Sequence, residues 1–270
     1  MDKGYLLFAV DNPIYARLAY ACALSIKLTQ PPGYNGVSVV TNMPDEFGKY
    51  KMIFDQVIAY NGPAGMDSRS RAYDYTPYYE TVLIDSDMLF LTPVDHYWEM
   101  MGQRELFITT APQTHRGQPF KYGYYRQVFA ENAWPDVYNA WTYFKQEPAA
   151  KKFFEMVKEI TDKPDPYIKM FMPNTVYKTV PTDEAFALAL CILDLVDVAT
   201  TPWDFPRITH MKPAVQQWTE SVYDWSDKIR FSATNNLQVK LGVWQQSDLL
   251  HYVKKDLITD NLIKALEQQL

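Results

Sequence analysis

The sequence predicts an α/β fold, a mostly parallel Rossmann-like central sheet with helices on both faces and an irregular C-terminal part. Three observations predict it. Strand-like and helical patterns alternate through the N-terminal half. The strand-like runs are almost continuously apolar, as strands covered on both faces require. The chain has 270 residues, 47% of them apolar, enough to bury one large core.

The elements follow in order. GYLLFAV (4–10) reads as a first strand ending in the turn Asp11-Asn12-Pro13. Pro13 suits the first turn of a helix, and Asp11 or Asn12 can cap it. That helix, about 13–28, carries Leu18, Cys22, Ser25 and Ile26 at helical spacing. GVSVVTN (36–42) is a second strand and 54–60 a short third. A helix covers roughly 66–75, and TVLID (81–85) is the fourth strand. Residues 94–101 are predicted helical and 105–111 extended. Beyond them, 138–145 reads as a strand, 151–160 as a helix and 182–193 as a capped helix. The remainder is rich in Trp, Tyr and turn residues and is expected to wrap one edge of the sheet. A single domain over 1–270 is expected, in two halves at 1–111 and 112–270.

Composition narrows the classes. No apolar run approaches the ~18 residues of a membrane span. MDKGYLLFAV reads as a first strand rather than a signal peptide. Cys22 and Cys191 sit inside apolar helical patterns, as small core residues of a reducing, cytoplasmic compartment would. A net charge of −6 argues against a non-specific nucleic-acid binder, while leaving room for a local basic groove.

The chemistry concentrates in "ETVLIDSDMLFLTP" (80–93), where Asp85 and Asp87 interrupt an apolar run. In parallel sheets ligands bind beyond the carboxyl ends of the strands, and Asp85 stands at such an end. Two carboxylates one residue apart offer hard oxygen ligands to Mg²⁺ or Mn²⁺. A cation held there neutralises a diphosphate. The bland alternative is a capped turn, with one aspartate bonding backbone N–H groups. Two enzyme classes use the pattern. Haloacid-dehalogenase-like phosphatases place a nucleophilic Asp at a strand end with a second Asp two residues on; their pattern wants Thr or Val where Leu89 stands, and sits nearer the N-terminus. Metal-dependent glycosyltransferases use D-x-D to hold a nucleotide-sugar, and this reading fits better. A catalytically dead sugar-binding module is the third alternative, against which the intact D-x-D argues.

The stretch "AYDYTPYYETVLIDSDMLFLTPVDHYWE" (72–99) resembles the D-x-D region of family 8 glycosyltransferases, the glycogenin-like group. Four further stretches resemble that family in the same order, over roughly 4–210. In "VDNPIYARLAYACALSI" Tyr15 takes the place of the tyrosine that stacks on the nucleotide base, after the turn at Asp11. Arg69, with Arg71 beside it, falls where the family has a basic residue touching the donor. "WPDVYNAWTYFKQEP" places Asn139 at the family's asparagine, and "PTDEAFALA" places Asp183 and Glu184 in its acidic and amide positions. Ser86, inside the D-x-D, joins the donor-side candidates. For the late metal-ligating histidine, "THMKPAVQQW" offers His210 with Lys212, and "DLLHYVKK" offers His251. Either would use a neutral imidazole nitrogen. Two departures stand out: Trp141 where the family has glycine, and Glu184 for its glutamine. The resemblance implies a GT-A glycosyltransferase fold, a nucleotide-sugar donor, most often a UDP-sugar, Mn²⁺ or Mg²⁺, and transfer with retention of configuration.

Each candidate has a structural alternative. Tyr15 can be a core aromatic, Arg69 or Arg71 a solvated helix charge, Asp183 a helix cap and Asn139 a strand end. More closely, the "KGY" start (3–5), "YRQVF" (125–129) with "PDVYNA" (135–140), and "HMKP" (210–213) resemble stretches of glycosyltransferase-like proteins of T-even-like and marine bacteriophages. That likeness implies 5-hydroxymethylcytosine in phage DNA as the acceptor, with a bacterial glycan or a protein as the alternative. KYGYYRQ (121–127) and MKP (211–213) place basic residues among aromatics, as handling of a single base requires. Tyr122, Tyr124, Tyr125, Trp134 and Trp141 divide between core and acceptor pocket.

Overall fold

A computed structural model of the chain describes residues 2–31, 35–50, 52–63, 65–110, 112–118, 126–201, 205–211, 230–234, 236–252 and 254–270. The main sheet has six strands. They are β1 (Lys3–Phe8), β2 (Gly36–Thr41), β3 (Gln56–Ala59), β4 (Glu80–Ile84), β6 (Leu106–Ile108) and β8 (Trp141–Lys145), in the spatial order β3-β2-β1-β4-β8-β6. β3, β2, β1 and β4 run parallel. β8 is antiparallel to both its neighbours, so β6 runs with the others. The sheet is mostly parallel, as the alternating pattern predicts.

β1 shows how one strand specifies both layers. Side chains alternate across a strand, so Tyr5 and Leu7 enter one core while Leu6 and Phe8 enter the other. The first core is covered by α1 (Pro13–Thr29), one turn later in the chain. Asn12 caps α1, accepting from the Ile14 N–H at 3.0 Å, and Pro13 opens it. Asn12→Ala is expected to cost about 1 kcal/mol of stability, measurable as a lowered urea midpoint at unchanged slope. The segment before β4 continues the sequence logic as a 3₁₀ turn (Met66–Arg71) followed by the single α-turn α2 (Ala72–Tyr75). Tyr78 then lays its ring across β1 and β2. A Cβ at Gly4 would fall 2.3 Å from that ring and one at Gly36 2.6 Å from its hydroxyl. Those two glycines are register partners and form the flat floor under it.

Past β4 the chain makes the turn that holds both aspartates, then β5 (Met88–Phe90) and α3 (His96–Met101). β7 (Pro112–Gln113) and α4 (Gln127–Glu131) precede β8. The second core is closed by α5 (Pro148–Asp162), the half-buried α6 (Pro164–Phe171), α7 (Thr182–Ile192) and α8 (Val196–Ala199). The C-terminal part is more regular than predicted. β5, β13 (Leu249–His251), β9 (Ile208–His210) and β7 form a second sheet. β10 (Phe231–Ala233), β11 (Val239–Leu241) and β12 (Trp244–Gln245) form a small antiparallel one. The last helix, α9 (Asp260–Glu267), packs on α1, where Tyr20 donates to Glu267 at 2.7 Å. These strands are two or three residues long, too short for a period-2 pattern to register.

Two local expectations are corrected. The strand expected over 138–145 begins at Trp141, because the Asn139 N–H is committed to the Asp183 carboxylate at 2.8 Å. The start of α7 has no side-chain cap; Asp183 turns away from its own helix toward that N–H and Arg126. Cys22 is buried and Cys191 partly so, and both are free thiols. Among the described residues no helix is long and apolar enough to cross a membrane.

Candidate functional site

A cleft of about 740 Å³ opens beyond the carboxyl ends of β1 and β4. Of the candidates the sequence offers, it gathers Asp11, Tyr15, Arg69, Asp85, Ser86, Asp87, Asn139, Asp183, Glu184, His210 and His251 along its walls. Arg71 stands elsewhere: its guanidinium grips the Asp162 carboxylate at 2.7 and 2.9 Å and does not line the cleft. Lys212 lies outside the described residues.

Strand register builds the centre. Ser86 donates to the Phe8 carbonyl at 2.6 Å, pinning the turn after β4 to the end of β1. β5 then pairs antiparallel with β13, placing His251 opposite Met88 and therefore beside Asp87. β13 pairs parallel with β9, which sets His210 next to His251. The outcome is that Asp85, Asp87 and His251 present donor atoms all within 4.8 Å of one another. His251 Nε2 lies 3.1 Å from Asp87 Oδ1, and its Nδ1 3.8 Å from Asp85 Oδ2. His210 is brought close but is not part of that group; its Nδ1 lies 2.7 Å from the Tyr138 hydroxyl, which also contacts His251 Nδ1. Two carboxylate oxygens and one imidazole nitrogen fit a divalent cation, and the nitrogen favours Mn²⁺ over the oxygen-seeking Mg²⁺.

The electrostatics fit as well. Burial works against ionisation of Asp87, yet His251, the local backbone and Lys255 together hold its carboxyl below the usual carboxylate range. Asp85 is ion-paired with the buried Arg69, whose other nitrogen donates to the Asn139 carbonyl. Burial pulls the Arg69 pKa down to about 10, against the pull of Asp183, Asp87 and Tyr138. Among the described residues that line the cleft, Asp11, Asp85, Asp87, Asp183 and Glu184 face two strong cations, Arg69 and Lys255. A cleft with that acidic excess repels a bare diphosphate and accepts one that arrives with a divalent cation.

The remaining side chains have defined tasks. Asp11, at φ 65°, takes the Gly65 N–H at 2.6 Å and the Asn42 amide at 2.7 Å, tying the first turn to the loop before the 3₁₀ segment. Aspartate tolerates this left-handed conformation better than most residues. Tyr15 has Lys255 Nζ 4.0 Å above its ring centroid and bonded to its hydroxyl. Asp183 is held on both oxygens, by the Asn139 N–H and by Arg126 Nη1 at 2.9 Å.

Sequence reasoning missed three residues here: Tyr138, Lys255 and Arg126. Lys255 had a signal, four residues after His251 in HYVKK. Arg126 and Tyr138 had none, because the cleft residues they hold, Asp183 and His251, lie 57 and 113 residues away. Of the aromatics that the sequence divides between core and acceptor pocket, Trp141 is a core residue: it is fully buried, packed on Tyr5 and Phe90, with its indole N–H toward Met101 sulfur. As the first residue of β8 it faces the core opposite to the one behind Asp183. Trp134 is likewise a core residue, and Tyr122, Tyr124 and Tyr125 lie outside the described residues. Arg126, the one described arginine of that basic and aromatic stretch, is fully buried between Asp136 and Asp183 and offers nothing to a polyanion.

Comparison with known proteins places this geometry. No protein-family model and no curated protein sequence matches the chain. Among solved structures, it is similar to the crystal structure of mouse xyloside xylosyltransferase 1 in its apo form. The TM-score is 0.54 at 11% identity, covering 96% of this chain and 100% of that one. At that identity the likeness speaks for the fold: a GT-A glycosyltransferase fold with a mostly parallel central sheet.

Proposed function

We propose that the chain is a metal-dependent glycosyltransferase that moves a sugar from a nucleotide-sugar, a UDP-sugar in the first instance, to an acceptor hydroxyl. The observation that carries this is the meeting of Asp85, Asp87 and His251 at the strand ends of a GT-A fold. A phosphatase with Asp85 as nucleophile accounts for neither the fold nor the histidine brought in from β13.

A divalent cation bound there supplies charge neutralisation for a diphosphate as it is bound and as it leaves. The chain's own residues do the rest. Asp85, Asp87 and His251 hold the cation, and Arg69 orients Asp85 while adding positive charge beside it. Tyr15 and Lys255 bind the nucleotide end, the base entering against Tyr15 as Lys255 turns toward the phosphates; stacking of this kind is worth about 1–3 kcal/mol. Asp183, Asn139 and Glu184 line the sugar end. A carboxylate with donors on both oxygens is a poor nucleophile, so Asp183 serves to orient the sugar and stabilise positive charge at its anomeric carbon. That supports attack by the acceptor hydroxyl on the leaving-group face, with retention of configuration, over double displacement through Asp183.

For the acceptor, 5-hydroxymethylcytosine in DNA rests on the phage resemblance and on basic residues of 121–127 and 211–213, of which Lys121 and Lys212 lie outside the described residues. The acidic wall at Asp183 and Glu184 favours the second reading, a neutral hydroxyl on a glycan or a protein. Released nucleotide from a panel of nucleotide-sugars, with Mn²⁺ and with EDTA, tests the reading. Mn²⁺-dependent release is expected. Stimulation by hydroxymethylated DNA assigns that acceptor; stimulation by oligosaccharides alone assigns the other. No release from any donor, with or without these acceptors, defeats the transferase reading.

A further inference from the structure

Tyr138 lies just before β8, buried to 4% exposure, and its one hydroxyl meets two imidazoles. It contacts Nδ1 of His210 at 2.7 Å and Nδ1 of His251. The three rings form a compact group, with His210 and His251 centroids 5.0 Å apart and Tyr138 4.7 Å from His210. A hydroxyl has one proton to give and lone pairs to accept with. It can donate to one imidazole at most, and the two arrangements in which it donates to one and accepts from the other have opposite consequences. If Tyr138 donates to His251, that ring carries its proton on Nε2, the atom facing Asp87, and its lone pair points away from the carboxylates. If Tyr138 donates to His210, His251 keeps its proton on Nδ1 and turns a bare Nε2 lone pair toward Asp87.

Only the second arrangement gives Asp85 and Asp87 a third ligand. We propose that Tyr138 is a positioning residue: it accepts the Nδ1 proton of His251 and donates its own to His210 Nδ1. This fixes the His251 tautomer that binds a divalent cation through Nε2. His210, which sequence motifs offer as a ligand in its own right, is instead the outer end of the chain that sets the direction of the hydrogen bonds. The inference rests on the metal reading of this site but not on transferase chemistry. It follows a general pattern, in which the second nitrogen of a metal-binding histidine is held by an outer partner whose loss weakens affinity about 10–100-fold.

The test is Mn²⁺ binding alone, with no donor or acceptor, followed by electron paramagnetic resonance. Pulsed measurement of ¹⁴N coupling reports whether an imidazole touches the ion. The native chain is expected to bind Mn²⁺ with ¹⁴N coupling, and His251→Ala to lose the coupling. Tyr138→Phe removes one oxygen and is expected to raise the Kd about 10–100-fold, with a modest fall in the melting temperature of the metal-free protein as two imidazole nitrogens lose a buried partner. His210→Leu removes the acceptor and frees Tyr138 to donate to His251, so it is expected to weaken binding on the same scale. His210→Gln restores an acceptor oxygen and is expected to recover most of the affinity. The His210 pair decides the question should Tyr138→Phe fail to fold.

Native affinity retained in Tyr138→Phe, or in His210→Leu, overturns the proposal while leaving the metal site intact. Coupling that survives His251→Ala and disappears in His210→Gln makes His210 the ligand and reverses the chain. A native protein that binds no Mn²⁺ overturns the metal reading and this inference together. Binding that follows the expected order with no turnover of any nucleotide-sugar upholds this inference and defeats only the proposed reaction.

Discussion

Replacing Asp87 with asparagine is expected to lower Mn²⁺-dependent donor cleavage about 10³-fold, the rate equivalent of the several kcal/mol that charge neutralisation at a leaving diphosphate contributes. The substitution keeps the shape of the side chain and removes its charge. It therefore separates charge from packing at a position half-buried beside β13 and bonded through its own carbonyl to the Tyr252 N–H. The metal-free fold should tolerate the change, because Asp85 and Asp87 are like charges at the same turn. A thermal readout follows by linkage. A ligand that binds only the folded state at 100 times its Kd stabilises it by about 2.7 kcal/mol. Saturating Mn²⁺ should raise the native melting temperature, and Asp87→Asn should abolish that rise. Equal melting shifts in native and variant protein would mean that Mn²⁺ binds elsewhere, and unchanged cleavage would remove the carboxylate pair from the reaction.

The parts of this site legible in the sequence are those carried by local chemistry. Asp85 and Asp87 follow an apolar strand, and a strand end next to the first βα turn is where a parallel sheet binds its ligands. Asn12 and Pro13 announce the start of α1 by cap and ring geometry. The alternation of β1 to β4 with helical segments gives the sheet its parallel core. What was not legible is carried by register between distant strands. Nothing near His251 says that it sits opposite Met88; that comes from β5 pairing with β13, some 160 residues later in the chain. The same pairing brings His251 rather than His210 into the group with Asp85 and Asp87, though as isolated histidines beside apolar residues the two look alike. The antiparallel β8 carries Trp141 into the core and leaves Asn139 at the cleft. The resemblance placed both in one motif and left Trp141 between core and acceptor pocket. Arg126 misled in the other direction. In sequence it stands among tyrosines like a base-handling residue, and in the fold it is one of the most deeply buried side chains.

That burial sets up the second large effect. Arg126→Ala is expected to destabilise the protein by about 3–5 kcal/mol, the range for breaking a buried pair by removing one partner. The guanidinium is fully buried and joins three groups: the carboxylates of Asp136 and Asp183 and the Val137 carbonyl. Its plane also lies 4.2 Å over the Phe129 ring. Without it two carboxylates face each other across a cavity, and a buried carbonyl loses a donor. Arg126→Lys keeps the charge but not the planar fork, so it should fall between native and alanine. The pH dependence identifies the cause. Burial already raises the Asp136 pKa, with Asp183 adding to that and Arg126 opposing it. Removing Arg126 raises it further in the folded state alone. A carboxyl whose folded pKa exceeds its unfolded value loses stability as pH climbs through the folded pKa, and keeps it below the unfolded one. The deficit of Arg126→Ala should therefore be largest near neutral pH and shrink as the solution is acidified. Urea unfolding of native and variant protein at neutral and mildly acidic pH measures it. A deficit independent of pH would mean that the arginine acts by filling space, and Arg126→Met would then recover most of the loss. A pH-dependent deficit shows instead that the arginine acts through its charge, as the counterion of the half-buried Asp136 carboxylate.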